Sequence, residues 1–462
     1  MSQDSEMPPS VEQVVQDFRE RGAVGVKLGL TDMDGVIRGK YVSLEKFAGL
    51  FDGVGGFCDC VFGWDVNDQL YDTSVYTGWH TGFPDTGYRL ITQSLRWLED
   101  ENTPYFIAEF VNRDGSAHPL CPRTQLAGVL GQFADSGLQV ISGFEYEFFV
   151  FDETPHSVRE KNYAGMKPLT PGNFGYSVLR NSSEGDLFAG LMDYCARLDL
   201  PLEGLHCETG PGVWEAALAP VDGLTAADRA NLFKTFSKVF FQKMELLATF
   251  MAKWSMDYPG QSGHFHFSIQ QLATDENVFF DASAQDGIST LQRHAVGGLQ
   301  RYLPELLSML APTINSYTRL VKGAWAPTAA TWGVENRTCA IRVIPGSAKS
   351  QRIECRVGGA DANPYLCAAA TLGAAWLGIQ ENLEPTAPVQ GNAYDVEDTL
   401  PQELRFAADL ATASNNLRVS SAARRLFGDD FVEHFAMSRD WEVAEYTRHV
   451  NSWQLDRYME II

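Results

Sequence analysis

The chain has 462 residues, which at roughly 150 residues per domain allows two or three domains with an ample apolar core. Lys and Arg total 36 against 59 Asp and Glu, a formal net charge of −23 at pH 7. This acidic surplus argues against a protein that binds a nucleic-acid backbone or an anionic lipid surface, because both need a basic footprint. It does not exclude small anionic substrates, since a few arginines in one cleft can reverse the local field.

Signals for export or membrane insertion are missing from the sequence. Residues 1–10 are polar and lack the basic and apolar regions of a signal peptide. No apolar run reaches the ~18 residues of a membrane span, and residues 365–379 are short and rich in Ala and Gly, which predicts a buried helix. The eight cysteines include no CxxC pair and no framework spacing, so we expect reduced thiols and a cytoplasmic location.

The first quarter of the chain is typical of a small α+β domain. Residues 1–20 are predicted to form a short helix or tail. Strand-like segments at 26–31 and 36–41 flank the turn signal Asp32-Met-Asp-Gly35. A further apolar strand is predicted at 105–111. We therefore expect a domain over residues 21–115.

The rest of the chain, residues 116–462, is predicted to be a second and larger α+β domain. A helix is expected at 123–136, and a longer one at 225–254, capped by Thr225 with Asp228. The long helix has an apolar stripe that we interpret as core packing, made of Phe233, Phe236, Phe240, Met244 and Leu247. Strands are predicted at 140–152, 202–218, 264–270, 338–344 and 351–357.

Chemistry-bearing side chains concentrate on these strands. Glu145 and Glu147 are spaced i, i+2, so both side chains point to one face of a strand whose other residues are largely aromatic. Glu208 and Glu215 bracket a Gly-Pro-Gly turn that can return both to one place. His264 and His266 repeat the i, i+2 spacing. Carboxylates gathered in this way repel one another unless a cation lies between them.

The strongest period-2 pattern lies at residues 351–357, where Arg352, Glu354 and Arg356 alternate with apolar residues. Taken alone, the pattern suits an exposed ion-paired sheet face as well as a site. Together with the other acids it indicates a site for Mg²⁺ or Mn²⁺, the ions that carboxylate-rich ligand sets prefer. Two such ions beside arginines form the layout that phosphoryl transfer needs, although no Walker or kinase motif is present.

In ordered sequence, these motifs resemble the glutamine synthetase superfamily over nearly the whole chain. The matching pieces are Glu145-x-Glu147, Glu208-x-Gly-Pro-Gly-x-x-Glu215, Gly260-x-x-x-His264-x-His266-x-Ser268, Glu335-Asn-Arg337 to Arg342, Lys349-x-x-Arg352-Ile-Glu354-x-Arg356 and Asn363-Pro-Tyr-Leu. The resemblance implies an α+β fold with a small N-terminal β-grasp-like domain. A large catalytic domain with a curved antiparallel sheet would follow it.

The resemblance also implies roles for individual residues. Two metal ions per site are expected, one held by Glu147, Glu208 and Glu215 and the other by Glu145, His264 and Glu354. Glutamate would bind at Arg319, Arg356 and Gly260. Arg337 and Arg342 would act on the phosphates of ATP as catalytic residues. The implied nucleotide-site positions are Glu203, His266, Ser268, Arg337, Arg342, Lys349 and Arg352.

Family members form stacked rings in which each active site lies between two subunits. The resemblance therefore implies a homo-oligomer, and it matches Asp65 to the catalytic acid that a neighbouring subunit contributes near the amine site.

Two departures from the family pattern concern the amine. Pro259-Gly260 replaces the Asn-Gly that precedes the metal-binding histidine in glutamine synthetases. Trp325 stands where those enzymes carry the flap glutamate that accepts a proton from ammonium, and an indole cannot do so. The resemblance thus favours the branch of γ-glutamylamide ligases, which join glutamate to organic amines through a γ-glutamyl phosphate. The alternatives are a glutamine synthetase that uses ammonia, a non-catalytic structural member, and an enzyme that stops at phosphorylation.

Overall fold

The computed structural model describes residues 10–462, whose strands form two separate sheets. The first sheet lies in the N-terminal quarter and has the order β2-β1-β6-β4-β3, with β5 also paired to β6. Its elements are α1 (Val11–Glu20), β1 (Gly25–Thr31), β2 (Ile37–Ser43), α2 (Leu44–Leu50), β3 (Gly55–Cys58), β4 (Asp85–Leu90), β5 (Arg96–Leu98) and β6 (Thr103–Val111).

The predicted strand-turn-strand unit near the N-terminus is confirmed. β1 pairs antiparallel with β2, and the turn closes through a hydrogen bond from Gly35 N to Asp32 O of 3.1 Å. Gly35 adopts φ +83°, a conformation that glycine adopts without steric cost. Asn363, which caps a later helix, donates to the carbonyl oxygens of Asp32 and Met33 and joins this turn to the second half of the chain. The helix part of the 1–20 prediction corresponds to α1, while residues 1–9 lie outside the described residues.

The second sheet contains the remaining strands, β7 (Leu138–Phe151), β8 (Leu202–Cys207), β9 (Val213–Leu218), β10 (Val221–Asp222), β11 (Leu247–Thr249), β12 (Gly263–Gln271), β13 (Trp332–Val334), β14 (Ile341–Ile344) and β15 (Arg352–Cys355). Its order is β13-β14-β15-β12-β7-β9-β8, with β10 and β11 also paired to β7. All pairings are antiparallel except β13 with β14, so the sheet is mixed where an antiparallel one was expected.

Several of the remaining helices pack against the second sheet. The remaining helices are α3 (Pro122–Asp135), α4 (Pro155–Glu160), α5 (Val178–Ser183), α6 (Gly185–Arg197), α7 (Gly223–Lys243), α8 (Thr290–Leu306), α9 (Ser316–Arg319), α10 (Pro364–Glu381), α11 (Leu410–Val419), α12 (Ser421–Phe427), α13 (Asp429–Thr447) and α14 (Ser452–Tyr458). The apolar segment at 365–379 lies in α10 and is buried as predicted. The architecture is therefore α+β overall.

The long helix predicted at 225–254 is wrong at both ends. Asp222, rather than Thr225 with Asp228, caps α7, and its side chain accepts a hydrogen bond from Thr225 N. The helix stops at Lys243 because Glu245 turns into the left-handed region at φ +57°. Of the predicted stripe, Met244 is exposed, and Leu247 belongs to β11, which pairs with β7.

The thiols and helices agree with two general expectations. All eight cysteines are free thiols, and six of them are buried. In residues 10–462, none of the helices is both long enough and apolar enough to cross a bilayer.

Two buried histidines lie where helix α13 packs against the N-terminal region. His118 stacks on Phe62 at 4.8 Å, and its Nε2 lies 2.6 Å from the hydroxyl of Tyr76. The ring of His434, on α13, lies 5.9 Å from that of Tyr76. Burial lowers the pKa of each histidine to about 4, so both are neutral in the folded protein at pH 7.

Acidification should therefore destabilise this contact. Each folded-state pKa lies below that of an unfolded histidine, so the unfolded chain binds more protons as pH falls from about 6.5 towards 4, and stability is lost across that window. At pH 5 the loss amounts to about 2 kcal/mol for each histidine. We expect His434→Phe to reduce the loss by about that amount, measured by urea unfolding at pH 7.5 and pH 5. His156→Gln, at an exposed position, serves as the control, and an equal pH dependence in both variants would contradict the assignment.

Candidate active site

The register of the second sheet brings the predicted site residues into rows across one face. The alternation of side chains along each strand keeps Glu145 and Glu147 of β7 on the same side. The paired positions are His264 with Glu145, Glu147 with Glu215, Glu215 with His206, His266 with Glu354, and Glu354 with Arg342. Residues distant in sequence therefore become neighbours through backbone pairing alone.

One set of donors, the Glu208 group, consists of His206, Glu208 and Glu215. His206 Nε2 lies 3.4 Å from Glu208 Oε2 and 3.5 Å from Glu215 Oε1. Both His206 Nε2 and Glu208 Oε2 are buried atoms without a hydrogen-bond partner. Such orphaned atoms are costly, and a shared cation would satisfy them.

A second set, the Glu354 group, consists of Glu145, His264, His266 and Glu354. His264 Nδ1 lies 3.1 Å from Glu145 Oε2 and 3.4 Å from Glu354 Oε1, and His266 Nε2 lies 3.5 Å from Glu145 Oε2. Glu354 is 1% exposed, which contradicts the alternative of a solvated face at residues 351–357. Burial alone would raise the pKa of Glu354, but the neighbouring histidines and arginines outweigh burial and hold it at about 2.

The carboxylates together fit divalent cations. Burial, followed by repulsion from Glu145, Glu147 and Glu208, raises the pKa of Glu215 to about 10. A cation among these carboxylates would offset the part of the rise that comes from their mutual repulsion. Carboxylate oxygens, which make up most of these donors, suit Mg²⁺ or Mn²⁺.

The donor sets differ from the predicted ligand sets in one respect each. In the Glu208 group, His206 takes the place expected for Glu147, whose Oε2 instead accepts a 2.5 Å hydrogen bond from Ser262 N. In the Glu354 group, His266 lies beside the carboxylates as well as His264. The sequence does contain a signal for His206, because it precedes Glu208 by two residues, which is the same spacing as that of Glu145 and Glu147.

Arg319 and Arg356 form a buried cationic pair next to the Glu354 group. Arg319 is 2% exposed, and its Nη1 donates to Val357 O at 2.9 Å while Nη2 donates to Ser262 Oγ at 2.9 Å and Arg356 O at 3.2 Å. Neutral oxygens therefore hold a buried guanidinium. A Cβ on Gly260 would lie 2.7 Å from Arg319 Cγ, so this position requires glycine.

Three of the predicted nucleotide-site residues belong to or contact the Glu354 group, namely His266, Arg342 and Arg352. Arg352 Nε lies 3.4 Å from His266 Nδ1, and Ser268 follows His266 on β12. Arg342 donates through Nη1 to Glu354 Oε2 at 2.9 Å. Glu203, Arg337 and Lys349 are exposed at the margins.

Asp65 and Trp325 are not joined to these groups within the described part of the chain. Asp65 is 8% exposed, and its carboxylate accepts from Asn67 N, Gln69 N and Trp441 Nε1 at 2.8, 2.9 and 3.0 Å. Trp325 is 61% exposed in a loop and has φ +59°. Groups of its own chain therefore satisfy the carboxylate of Asp65, while Trp325 has an exposed aromatic surface.

Sequence reasoning missed one aromatic neighbour of the site. The ring of Tyr176 stacks on that of His206, with centroids 4.5 Å apart and planes 12° apart. Burial, followed by the charges of Glu208 and Glu215, raises the pKa of Tyr176 to about 12. No local pattern marks Tyr176, since it lies in an irregular segment before α5.

Comparison with known proteins identifies the family. Residues 119–458 match the family model described as glutamine synthetase, catalytic domain. Type-1 glutamine synthetase 2 of Dictyostelium discoideum is 40% identical over 439 residues, covering 95% of this chain and 84% of that protein. Glutamate–isopropylamine ligase of a Pseudomonas species is 35% identical over 454 residues, covering 97% and 98%. A solved GmaS/ADP complex has a TM-score of 0.84 at 25% identity, covering 96% of this chain and 99% of that one. The chain belongs to the glutamine synthetase family.

Proposed function

We propose that this protein is an ATP-dependent ligase that joins the γ-carboxylate of L-glutamate to an organic amine through a γ-glutamyl phosphate. The observation that carries the proposal is the single sheet face on which two carboxylate-rich donor groups adjoin buried arginines. Full-length similarity to a glutamate–isopropylamine ligase supports the same reaction class.

The two donor groups fit two Mg²⁺ or Mn²⁺ ions, with Glu147 added to the Glu208 group. The ions that these residues would hold would supply positive charge to offset that of the phosphates during transfer. The protein contributes Arg337 and Arg342 to the developing phosphoryl charge. Glu203, His266, Ser268, Lys349 and Arg352 would hold the rest of ATP.

Glutamate would bind where Arg319 and Arg356 lie beside Gly260. The guanidinium of Arg319 has five N–H groups and makes three identified hydrogen bonds, so it has N–H groups left to donate to a carboxylate. Arg356 donates to Glu354 through Nη1, while its buried Nε has no partner. A carboxylate between the two side chains would satisfy these donors and offset two buried charges.

The amine side of the site favours an organic acceptor. The exposed indole of Trp325 replaces the proton-accepting flap glutamate of ammonia-using relatives, and it offers apolar surface for an alkyl or aryl group. The second candidate is ammonia, because a relative 40% identical to this chain is a type-1 glutamine synthetase. A non-catalytic structural role is disfavoured because every predicted metal ligand is present.

The assembly follows the family resemblance. We propose that residues 21–115 form a β-grasp-like domain, that residues 116–462 form the catalytic domain, and that copies stack as rings in the cytoplasm. Under this arrangement the N-terminal domain of a neighbouring subunit closes each amine site. Asp65 would contribute there only if the neighbour exposed it.

The decisive experiment measures ADP release with glutamate, ATP and Mg²⁺ across a panel of ammonia, alkylamines, ethanolamine, polyamines and aniline. We expect the highest kcat/KM with an organic amine and a γ-glutamylamide detected by mass spectrometry. If ammonia gave the highest kcat/KM, the ammonia alternative would replace the proposal. Release of phosphorylated product without amide would indicate an enzyme that stops at phosphorylation.

Trp325→Glu should shift the preference of the enzyme towards ammonia. A carboxylate at this position can accept a proton from ammonium, and the change also removes apolar surface from the amine entrance. We expect the ratio of kcat/KM for ammonia to that for the best organic amine to rise roughly tenfold or more. Trp453→Glu, at an exposed position on α14, is the control. An unchanged ratio would remove Trp325 from the specificity argument.

A further inference from the structure

Arg342 is shared between two carboxylates that come from different parts of the chain. Its Nη1 donates to Glu354 Oε2 at 2.9 Å, and its Nε donates to Glu335 Oε2 at 3.0 Å. Its Nη2 also contacts Glu335. Arg342 is 9% exposed and the side chain of Glu335 is 47% exposed, and the two carboxylates together fix the plane of the guanidinium.

Glu335 reaches Arg342 from a strained backbone conformation. It follows β13 with φ +53°, a left-handed conformation that a glutamate adopts at a cost in energy. Its N–H donates to Val343 O at 3.0 Å, and thereby ties the turn to the strand that carries Arg342.

The rest of the turn is anchored so that this conformation persists. Asn336 Nδ2 donates to Gly391 O at 2.8 Å, and Asn336 Oδ1 accepts from Thr338 N at 3.0 Å. Thr338 Oγ1 in turn accepts from Ala393 N at 2.9 Å. Strained backbone conformations that are held in place by surrounding contacts occur most often at functional sites.

The charges explain what the strained contact achieves. Glu354 already receives Arg356 at its Oε1, and His264 lies 3.4 Å from the same oxygen. Without Glu335, the fork of Arg342 would be free to pair with Glu354 in a bidentate manner, since that geometry is favoured between guanidinium and carboxylate. This bidentate pairing would engage both N–H edges of Arg342 with Glu354. It would also turn the N–H donors of Arg342 away from the proposed position of the ATP phosphates.

We propose that Glu335 is a positioning residue that holds Arg342 away from full pairing with Glu354. It thereby keeps Arg342 oriented for the nucleotide phosphates and leaves Glu354 available to a cation. This inference rests on the proposed function, because it assumes that Arg342 faces ATP.

Two variants separate positioning from a structural role. Glu335→Asn relieves the backbone strain, since asparagine tolerates positive φ, but its shorter side chain does not reach Arg342. Glu335→Gln keeps the length and removes the charge. We expect kcat to fall roughly 10- to 100-fold in Glu335→Asn and less in Glu335→Gln, because small misplacements of a catalytic group are costly. The melting temperature of Glu335→Asn should equal or exceed that of the wild type.

Calorimetry with a non-hydrolysable ATP analogue and Mg²⁺ gives a readout that does not depend on turnover. We expect its affinity to weaken about tenfold in Glu335→Asn, in line with a lost charge-assisted contact. Glu384→Gln, which removes an exposed partner of Arg293 on α8, should change neither value. Wild-type kcat and analogue affinity in Glu335→Asn would overturn the proposal. A wild-type protein without ligase activity would refute the proposed function instead, and the binding data would still decide the role of Glu335.

Discussion

Glu208→Gln is expected to lower kcat/KM for amide formation by roughly a thousandfold, with a much smaller effect on the stability of the metal-free protein. Glu208 follows β8, and although burial opposes its charge, His206 and Thr209 outweigh burial and lower its pKa. Loss of its charge would remove the 3.4 Å pairing of its Oε2 with His206 Nε2. It would also relieve repulsion of Glu215, whose pKa is raised by burial and by the neighbouring carboxylates, Glu208 among them, so the two effects on stability oppose each other. Phosphoryl transfer should nevertheless require the Glu208 carboxylate, because the proposed divalent ion that it binds offsets the charge of the phosphates.

Thermal unfolding with and without Mg²⁺ tests this separation directly. An ion at 100 times its Kd stabilises the folded state by about 2.7 kcal/mol, so the wild type should melt at a higher temperature with Mg²⁺. Glu208→Gln should lose much of that shift while its melting temperature without metal changes little. Glu160→Gln, at the exposed end of α4, should behave as the wild type does. A fully retained Mg²⁺ shift in Glu208→Gln would exclude Glu208 as a ligand.

Local periodicity predicted three of the strands that form the site, β7, β12 and β15, whereas the single strand predicted at 202–218 is two antiparallel strands, β8 and β9. The i, i+2 spacing of Glu145 with Glu147 and of His264 with His266 describes same-face positions on β7 and β12, and the structure pairs His264 with Glu145. The alternation at residues 352–356 likewise indicated β15. These patterns are local because the side-chain period of a strand is two.

Features set by tertiary contacts could not be predicted in this way. The apolar spacing of α7 continues past Lys243, but Glu245 turns into the left-handed region and the chain joins the sheet as β11. The stacking of Tyr176 on His206 joins an irregular segment to a strand and has no sequence period. The burial of Glu354 depends on neighbouring strands, so its own alternation could not distinguish a site from a solvated face.

Arg319→Lys should raise the KM for glutamate roughly 10- to 100-fold while lowering kcat much less. Lysine keeps the positive charge but loses the planar fork whose Nη1 and Nη2 atoms donate to Val357 O, Arg356 O and Ser262 Oγ. It therefore leaves those oxygens short of donors and presents a single ammonium to the substrate carboxylate.

Gly260→Ala should displace the side chain of Arg319, because the added Cβ would lie 2.7 Å from Arg319 Cγ and 2.8 Å from Ala252 O. Since this displacement moves the guanidinium without removing it, we expect it also to raise the KM for glutamate, with little change in the KM for ATP. Steady-state kinetics with glutamate and ATP varied separately measure the split, and Arg293→Lys on the exposed face of α8 is the matched control. Equal increases in both KM values would indicate general disruption of the sheet. An effect confined to the KM for glutamate would assign glutamate binding to Arg319, which is buried and has no carboxylate partner among the described residues.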